Sequence, residues 1–192
     1  MEDARWDRRH GEAQGPGEVA EVLRQNLHLL PPWGRALDLA CGRGANALLM
    51  ARQGLRVSAW DLSPVAIERM RREAVAQGLE IEAEARDLCA GTLPEAAFDL
   101  ILVSHFLERG LAPAIISALR PGGLLFYQTF SRAVVSMAGP SNSEYRLADN
   151  ELLSLFTGLR VRVYREEQTL GDTTQGWRDK AMLIAQKVPA PR

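Results

Sequence analysis

The chain has 192 residues, of which 46% are hydrophobic and 24% are charged, as expected for one globular domain. Its formal net charge of -1 argues against a large nucleic-acid-binding face, because such a face needs clustered Lys and Arg side chains. The charged first residues do not form a signal peptide and no apolar stretch is long enough to span a membrane, so we expect a cytoplasmic protein.

The two cysteines, Cys41 and Cys89, have no CxxC spacing and no histidine cluster beside them. This pattern disfavours both a zinc site and a structural disulfide, so we expect no bound metal. We expect partners that are small molecules, with no nucleic acid and no membrane. The sequence is compatible with either a monomer or a homodimer.

The start of the chain, residues 1–17, shows no clear apolar period and ends in the helix-breaking sequence GPG. We interpret it as an N-terminal arm that either folds over a cleft as a lid or is a disordered tail. Residues 18–188 then form a single domain. Its first element is a predicted helix from Glu18 to Leu30, whose apolar positions follow helical spacing until two prolines stop it.

Strands and helices alternate after this helix. The sequence RALDLA (35–40) predicts a buried strand, and residues 44–53 predict a helix that a glycine ends. RVSAW (56–60) predicts a second strand, and Ser63 is the predicted N-cap of a helix that runs to Gln77. Alternation of this kind implies parallel strands that are joined by right-handed crossovers.

Three later strands differ in their apolar pattern. The sequence LEIEAEAR (79–86) alternates apolar residues with glutamates, which is typical of an edge strand with one wet face. FDLILV (98–103) and LLFYQTF (124–130) are nearly continuous in apolar residues, as expected for central strands that are covered on both faces. Between them, LAPAIISALRPGG (111–123) predicts a helix that ends in a Pro-Gly-Gly turn.

The last third of the chain departs from this alternation. A predicted helix from Asp149 to Phe156 leads to LRVRVYREE (159–167), an alternating edge strand, and to DKAMLIAQK (179–187), whose middle is wholly apolar. The connection is short enough for an antiparallel hairpin. The fold class is therefore α/β: a Rossmann-like, doubly wound, mostly parallel seven-stranded sheet with one antiparallel strand, the last, inserted next to the edge.

The glycine-rich turn between the first strand and its helix is the first candidate binding feature. Gly42 and Gly44 would let a ligand approach backbone N–H groups at a helix N-terminus. GRGANA (42–47) also matches the nicotinamide-dinucleotide fingerprint G-x-G-x-x-A, and a plain tight turn is the simpler interpretation. Asp61 ends the second strand, where a carboxylate could accept hydrogen bonds from ribose hydroxyls. Asp87 could accept from the exocyclic amine of adenine or could be an ordinary turn residue.

Asp38 separates the candidate cofactors. A carboxylate buried just before the glycines would repel a pyrophosphate, yet it suits a ligand that carries an ammonium and a second positive centre. S-adenosylmethionine carries both. The alternative is a core aspartate that is hydrogen bonded to the backbone.

Five motifs occur in order: ALDLACGRG, VSAWDLSP, EARDL, FDLILVSHFLERGL and LRPGGLLFYQTF. As a set, over about residues 18–130, they resemble the successive motifs of class I S-adenosylmethionine-dependent methyltransferases. Within that superfamily the chain is similar to small bacterial TehB-like (tellurite-resistance-type) methyltransferases. It shares with them a compact size, an arm before the first helix, and AWD after the second strand.

The resemblance implies a set of contacts with S-adenosylmethionine. The implied contact residues are Asp38, Gly42, Gly44, Asp61, Leu62, Asp87, Leu88 and Ser104. The methionyl ammonium would lie near Asp38 and the methionine portion near Ser104, with the two glycines against the ligand backbone. The ribose would bind Asp61, while Leu62 would pack on the adenine, whose edge Asp87 and the following amide would read.

The sequence predicts the methyl acceptor less specifically than the cofactor. An ionised nucleophile needs no base, whereas an alcohol or amine does, and the candidate bases are His105 and His10. His105 follows the fourth strand, where open α/β sheets bind ligands, or it is a hydrogen-bonded loop histidine. His28 is the expected boundary residue of the first helix. Candidate residues of the substrate pocket are Trp6, Arg8, Phe106, Tyr145 and Arg178, together with Trp177, although aromatic residues in such a domain are often core.

The sequence thus predicts a methyltransferase that acts on a small molecule or an inorganic oxyanion, such as tellurite or selenite, or on a thiol. Two alternatives stay open. A nicotinamide-dependent oxidoreductase would use the same glycine turn, and a non-catalytic S-adenosylmethionine-binding module would keep the pocket without transferring the methyl group.

Overall fold

A seven-stranded sheet forms the centre of the protein. The computed structural model describes residues 17–136 and 138–188. The strands are β1 (Arg35–Leu39), β2 (Arg56–Asp61), β3 (Ile81–Ala85), β4 (Phe98–Ser104), β5 (Leu119–Phe130), β6 (Leu159–Arg165) and β7 (Lys180–Lys187). Their order across the sheet is β3-β2-β1-β4-β5-β7-β6.

The strand pairing confirms the predicted fold class. Strands β1 to β5 pair in parallel with one another, and β7 is antiparallel to both β5 and β6. The last strand is therefore inserted next to the edge, and the two alternating strands, β3 and β6, form the two edges. The chain leaves β1 toward β2 on one side and returns to β4 on the other. This change of direction creates a crevice at the carboxyl ends of β1 and β4.

Five α-helices lie within the described residues; the first precedes β1 and the other four connect strands. They are α1 (Glu21–Arg24), α2 (Ala45–Arg52), α3 (Pro64–Ala76), α4 (Ala112–Ala118) and α5 (Glu151–Leu155). The Ser63 side chain accepts a hydrogen bond from the Ala66 N–H, so Ser63 caps α3 as predicted. No helix within the described residues is both long enough and apolar enough to cross a membrane.

The first helix is much shorter than predicted. A helix from Glu18 to Leu30 was expected, but α1 ends at Arg24 and a separate 3-10 turn covers Leu27–Leu29. Asn26 explains the break, because its side-chain Nδ2 donates to the Val22 carbonyl over 2.9 Å. That carbonyl would otherwise accept the next backbone bond of the helix, so the side chain competes with the helix.

Strand β5 begins earlier than predicted and includes the Pro-Gly-Gly sequence that was expected to form a turn. The pairing with β4 shifts register after Phe98, so the glycines lie in an irregularity of the strand. A Cβ on Gly123 would lie 3.1 Å from the Phe98 carbonyl oxygen. The glycine therefore allows the two backbones to approach, and the strand continues through the expected turn.

Helices cover both faces of the sheet, as the continuous apolar strands predicted. Along β4, Ile101 and Val103 belong to one buried cluster, and Leu100 and Leu102 belong to the other. Residues of α1, α2 and α3 pack on the second face, and residues of α4 and α5 pack on the first. Because both faces of β4 are covered, alternating polar residues would have been buried without partners.

Candidate functional site

The glycine turn joins β1 to α2 at the crevice. Gly42 and Gly44 have φ values of 52° and 84°, which lie in the left-handed region that favours glycine. A Cβ on Gly44 would lie 2.3 Å from Cγ of Met70 on α3. Packing against α3 therefore explains the glycine at position 44 without a ligand. The turn also leaves the first N–H groups of α2 at the edge of the crevice.

Asp38 lies beneath this turn and is completely buried. Its Oδ2 accepts a hydrogen bond of 3.0 Å from the Ala47 N–H. Burial raises the pKa of Asp38 to about 8, the Ala47 bond opposes that increase, and the nearby Asp61 charge adds to it. Its Oδ1 is buried and has no hydrogen-bond partner among the described residues. Asp38 is thus a backbone-bonded core residue with one oxygen left unsatisfied.

Asp61 lies directly on the glycine turn. Its Oδ2 accepts a hydrogen bond of 2.7 Å from the Gly42 N–H, and its Oδ1 accepts one of 2.9 Å from the Ser63 N–H. The side chain is 8% exposed. Each carboxylate oxygen has capacity for one further hydrogen bond. The structure therefore brings the carboxylate of β2 to the turn while leaving part of its accepting capacity available.

Asp87 has a more ordinary environment than Asp38 and Asp61. It is exposed, and its Oδ1 accepts from the N–H groups of Cys89 and Ala90 at 2.9 and 3.3 Å. These bonds form a local turn, the simpler of the two interpretations of this residue. The preceding residue, Arg86, donates its N–H to the Asp61 carbonyl over 2.7 Å, which holds the segment at the same end of the sheet.

Leu62 and Leu88 follow the two outer aspartates. Leu62 is half-buried and Leu88 is buried, with an exposed fraction of 6%. Both lie at the carboxyl end of the sheet, since β2 and β3 are parallel neighbours and the pair Asp61 and Ala85 ends their register. The half-buried side chain of Leu62 is thus beside the turn, whereas Leu88 is part of the core.

Ser104 ends β4 and is connected to the glycine turn by Asn46, a residue that sequence reasoning missed. The Asn46 Nδ2 donates to the Ser104 Oγ over 3.0 Å, and its Oδ1 accepts from the Ala20 N–H over 2.8 Å. Asn46 is buried in the first turn of α2. The available signal was a polar residue inside an apolar helix, directly after the glycines. Asn46 therefore joins α2, β4 and the segment before α1.

His105 follows Ser104 in a strained backbone conformation, with φ of 56°. Its N–H donates to the Gln128 carbonyl over 2.8 Å, and its ring lies 5.2 Å from the Phe130 ring between centroids. The residue as a whole is exposed. Partial burial of the ring and the positive charge of Lys180 lower the pKa of His105, while the charge of Glu21 opposes this change.

Lys180 is a second residue that sequence reasoning missed. Its Nζ lies 5.9 Å from the Phe130 ring centroid, 5.7 Å from the Trp177 ring centroid, and 3.2 Å from Oε2 of Glu21. His105, Phe130, Lys180 and Glu21 thus form a cluster at the carboxyl ends of β4 and β5, which we call the His105 cluster. No local pattern identifies Lys180, because it contacts residues from three separate elements.

The predicted substrate residues divide into three groups. Trp6, Arg8 and His10 lie outside the described residues. Phe106 is half-buried with its carbonyl bound to the Tyr127 hydroxyl at 2.9 Å, and Tyr145 is 49% exposed. The third group is Arg178 and Trp177, which belong to the connection between β6 and β7.

Arg178 and Trp177 have structural surroundings. The Arg178 guanidinium donates to the backbone carbonyls of Glu167, Gln168, Asp172 and Gln175. Its donors are thus committed to its own loop, although Arg178 was predicted to line the substrate pocket. Trp177 is 4% exposed and packs in the core, and its Nε1 has no hydrogen-bond partner among the described residues.

Two further observations concern His28 and metal binding. His28 borders a cavity of about 390 Å³ together with Leu124 and Gln186, at the opposite end of β5. Within residues 17–136 and 138–188, no three His, Cys, Asp or Glu side chains are grouped so that they could hold a metal ion.

Comparison with known proteins identifies the family. Residues 36–123 match a family described as a methyltransferase domain. The chain is 31% identical over 171 residues to a ubiquinone biosynthesis O-methyltransferase of Xylella fastidiosa (strain M23), an alignment that covers 79% of this chain and 69% of the relative. The chain belongs to the class I S-adenosylmethionine-dependent methyltransferases.

Other methyltransferases match over different lengths. A ubiquinone biosynthesis O-methyltransferase of Methylocella silvestris is 38% identical over 109 residues, which cover 54% of this chain and 43% of that protein. The chain thus spans about half the length of the curated relatives it matches first. The crystal structure of TehB from Haemophilus influenzae superimposes with a TM-score of 0.69 at 22% identity, over 95% of this chain and 67% of TehB. That likeness shows a shared fold.

The residues at the crevice fit the cofactor of this methyltransferase family in two respects. S-adenosylmethionine carries an ammonium and a sulfonium, and Asp38 holds a buried oxygen that lacks a hydrogen-bond donor. The ligand also carries ribose hydroxyls, and Asp61 holds a carboxylate with remaining accepting capacity beside the Gly42 turn. A cation near Asp38 would favour the ionised form of its carboxyl group, whereas a pyrophosphate would disfavour it.

Proposed function

We propose that this methyltransferase transfers a methyl group from S-adenosylmethionine to a small-molecule acceptor. The observation that carries the proposal is the hydrogen bond between Asp61 Oδ2 and the Gly42 N–H at 2.7 Å. It brings a carboxylate suited to ribose against a glycine turn that opens a helix. Membership of the methyltransferase family supports a cofactor site over a simple tight turn.

Each residue at the crevice has a role in this proposal. When bound, S-adenosylmethionine supplies a methyl carbon that its sulfonium activates. Asp61 accepts hydrogen bonds from the ribose, and Leu62 packs on the adenine. Ser104 faces the methionine portion, and Asn46 fixes its hydroxyl. The protein then aligns the acceptor with the methyl carbon and excludes water, which is the main requirement of a displacement at an activated carbon.

Three of the other predicted cofactor contacts receive more specific roles. Asp38 acts from beneath the turn: it orients Ala47 in the first turn of α2, and a bound cation would favour the ionised form of its buried carboxyl group. Asp87 keeps one carboxylate oxygen outside its local turn, and this oxygen together with the Leu88 amide reads the adenine edge. Removing Asp87 should therefore weaken binding less than removing Asp61.

Two acceptor classes have support. The relatives named for ubiquinone biosynthesis favour an aromatic hydroxyl group, and we take O-methylation of a phenol as the first candidate. The His105 cluster offers a cationic Lys180 beside the Phe130 ring, which suits an acceptor with an anionic oxygen or sulfur. Tellurite, selenite and thiols stay in the proposal on that ground.

Calorimetry with S-adenosylmethionine tests the first step. We expect binding to the wild-type protein and a loss of at least tenfold in affinity for Asp61→Ala, since one charge-assisted hydrogen bond contributes about 1.5 to 3 kcal/mol. The matched control is Asp172→Ala, which removes an exposed aspartate of the β6–β7 loop. Equal affinities for wild type and Asp61→Ala would refute the proposed site. Binding of a nicotinamide dinucleotide alone would favour an oxidoreductase.

An acceptor screen tests the second step. Release of S-adenosylhomocysteine is measured with phenols, thiols, amines, tellurite and selenite. Turnover of one class identifies the acceptor, whereas cofactor binding without product from any class would favour a non-catalytic binding module.

The role of residues 1–17 as a lid stays a prediction, as do the cytoplasmic location and the monomeric or homodimeric state. Gly17 lies next to Arg43 in the glycine turn, where a Cβ would be 3.2 Å from the Arg43 guanidinium nitrogen. A variant that lacks residues 1–16 should therefore lose turnover if the arm covers the crevice. Unchanged turnover would favour a tail without this function.

A further inference from the structure

Gln128 is buried at the end of β5, and its orientation is determined by the backbone of α1. The side chain is 1% exposed, and its Oε1 accepts a hydrogen bond of 2.8 Å from the Val22 N–H. A backbone N–H can only donate, so the atom that faces it must be the amide oxygen. The amide nitrogen, Nε2, therefore points the other way, and it lies 3.3 Å from Nε2 of His105.

This contact determines where the His105 ring carries its proton. The Gln128 amide nitrogen has only donors, so the facing His105 Nε2 must be the acceptor and must lack a proton. A neutral imidazole then carries its proton on Nδ1. No described residue hydrogen bonds to Nδ1, and the strained backbone at His105 is held by its bond to the Gln128 carbonyl at 2.8 Å.

On balance, the charged neighbours of His105 also disfavour a second proton on its ring. Lys180 on β7 disfavours a second proton on the ring, and Glu21 on α1 opposes that effect while it pairs with Lys180 at 3.2 Å. A proton on Nε2 would also face the two N–H donors of Gln128. The imidazolium form of His105 is therefore unfavourable for geometric and electrostatic reasons.

We propose that Gln128 holds His105 as the neutral Nδ1–H tautomer, so that His105 donates a hydrogen bond to the methyl acceptor and does not remove its proton. The acceptor role rests on the proposed function, whereas the tautomer rests on the contacts of Val22, Gln128 and His105 alone. This assignment replaces the general-base role that the position of His105 suggests. It favours acceptors whose nucleophile is already ionised near neutral pH, such as acidic thiols, acidic phenols and inorganic oxyanions.

Nitrogen NMR of the full-length protein tests the tautomer directly. With ¹⁵N-labelled histidine, long-range proton–nitrogen correlations distinguish a protonated from an unprotonated ring nitrogen, and His105→Asn identifies the signals of His105. We expect an unprotonated Nε2 and a protonated Nδ1 near neutral pH. A protonated Nε2, or averaged signals from two exchanging tautomers, would overturn the proposal. The spectrum needs neither cofactor nor acceptor, so it is decisive even if no methyl transfer is found.

Gln128→Glu tests whether Gln128 sets the tautomer. A glutamate keeps an oxygen for the Val22 N–H and presents a second oxygen to His105, so the proton should move to Nε2 and the pKa of His105 should rise. Gln186→Glu is the control, because it adds the same charge at the opposite end of β7 and should leave the His105 signals unchanged. If His105 titrates identically in wild type and Gln128→Glu, the proposal fails. Should Gln128→Glu not fold, the wild-type spectrum alone is decisive.

Turnover with the best acceptor of the screen tests the donor role. An asparagine amide nitrogen lies near the position of Nδ1 and a glutamine amide nitrogen near that of Nε2. His105→Asn should therefore keep on the order of tenfold more kcat/KM than His105→Gln, the effect of one hydrogen bond to a charged group. Equal losses of kcat/KM in both variants would instead indicate a general base. The same conclusion would follow if the wild type methylated alcohols and its rate fell as His105 became protonated.

Discussion

The buried carboxyl group of Asp38 predicts a strong dependence of stability on pH. Its pKa is raised from 3.8 to about 8 in the folded protein, mainly by burial. Between these two pH values the native state holds a proton that the unfolded chain has lost, so stability falls as pH rises. Each pH unit in this window costs about 1.4 kcal/mol of unfolding free energy from this one group.

Asp38→Asn removes this titration while it keeps an oxygen for the Ala47 N–H. From about pH 6 to about pH 8, the wild type should lose about 2 kcal/mol of unfolding free energy relative to Asp38→Asn, as the linkage relation gives for these two pKa values. The assay is urea unfolding followed by circular dichroism at several pH values. The comparison uses the slope with pH, because the new amide N–H of asparagine lacks a partner and adds a constant cost.

Asp179→Asn is the matched control. Asp179 is also buried, but its pKa is lowered despite burial, because the N–H groups of Ser136 and Val135 hydrogen bond to the carboxylate. A carboxylate of this kind stabilises the protein above its unfolded pKa, so the cost of Asp179→Asn should be constant from about pH 6 to about pH 8. Parallel pH profiles for wild type and Asp38→Asn would refute the assignment of a raised pKa to Asp38.

Four other substitutions have expected outcomes in urea unfolding. Gly44→Ala should lower the unfolding free energy by about 3 kcal/mol or more, because it combines a φ of 84° with a steric overlap. Gly78→Ala, at a φ of 65° with nothing within 4 Å, should lower it by about 1 to 2 kcal/mol. Equal costs would contradict the packing argument. Ser63→Ala should cost about 1 kcal/mol by removing the cap of α3, and no loss would show that the cap is dispensable. The hydrogen bond from Arg109 lowers the pKa of Glu151, so this pair stabilises the folded protein above the unfolded pKa of the carboxyl group. Glu151→Gln should therefore reduce the loss of stability on acidification. An unchanged acid profile would contradict this.

The arrangement of the strands was readable from the sequence because burial acts on every residue of a strand. Strand β4 lies between β1 and β5 with helices on both faces, so its residues from Leu100 to Val103 are all apolar. Strand β3 lies at an edge of the sheet that the described residues form, and its alternating glutamates reflect that position. The length of the first helix was not readable, because a single side-chain bond of Asn26 ends it.

The candidate site was likewise predictable only in part. The glycine turn and Asp61 were predictable, because a strand, a turn and a helix N-terminus follow one another along the chain and the next strand ends beside them. Only the hydrogen bonds of each carboxylate distinguish the two aspartates: Asp61 binds the glycine turn, whereas Asp87 forms a local turn. Local spacing is the same whether a side chain faces a crevice or its own loop.

The sequence by itself determined the sheet, the glycine turn and the family, since these depend on repeated patterns within short segments. The tertiary structure alone decided the contacts around His105. Gln128 acquires its role from Val22, 106 residues away, and Lys180 pairs with Glu21, 159 residues away. A single polar residue carries no periodic signal, so its chemistry becomes visible only when folding brings its distant partner into contact.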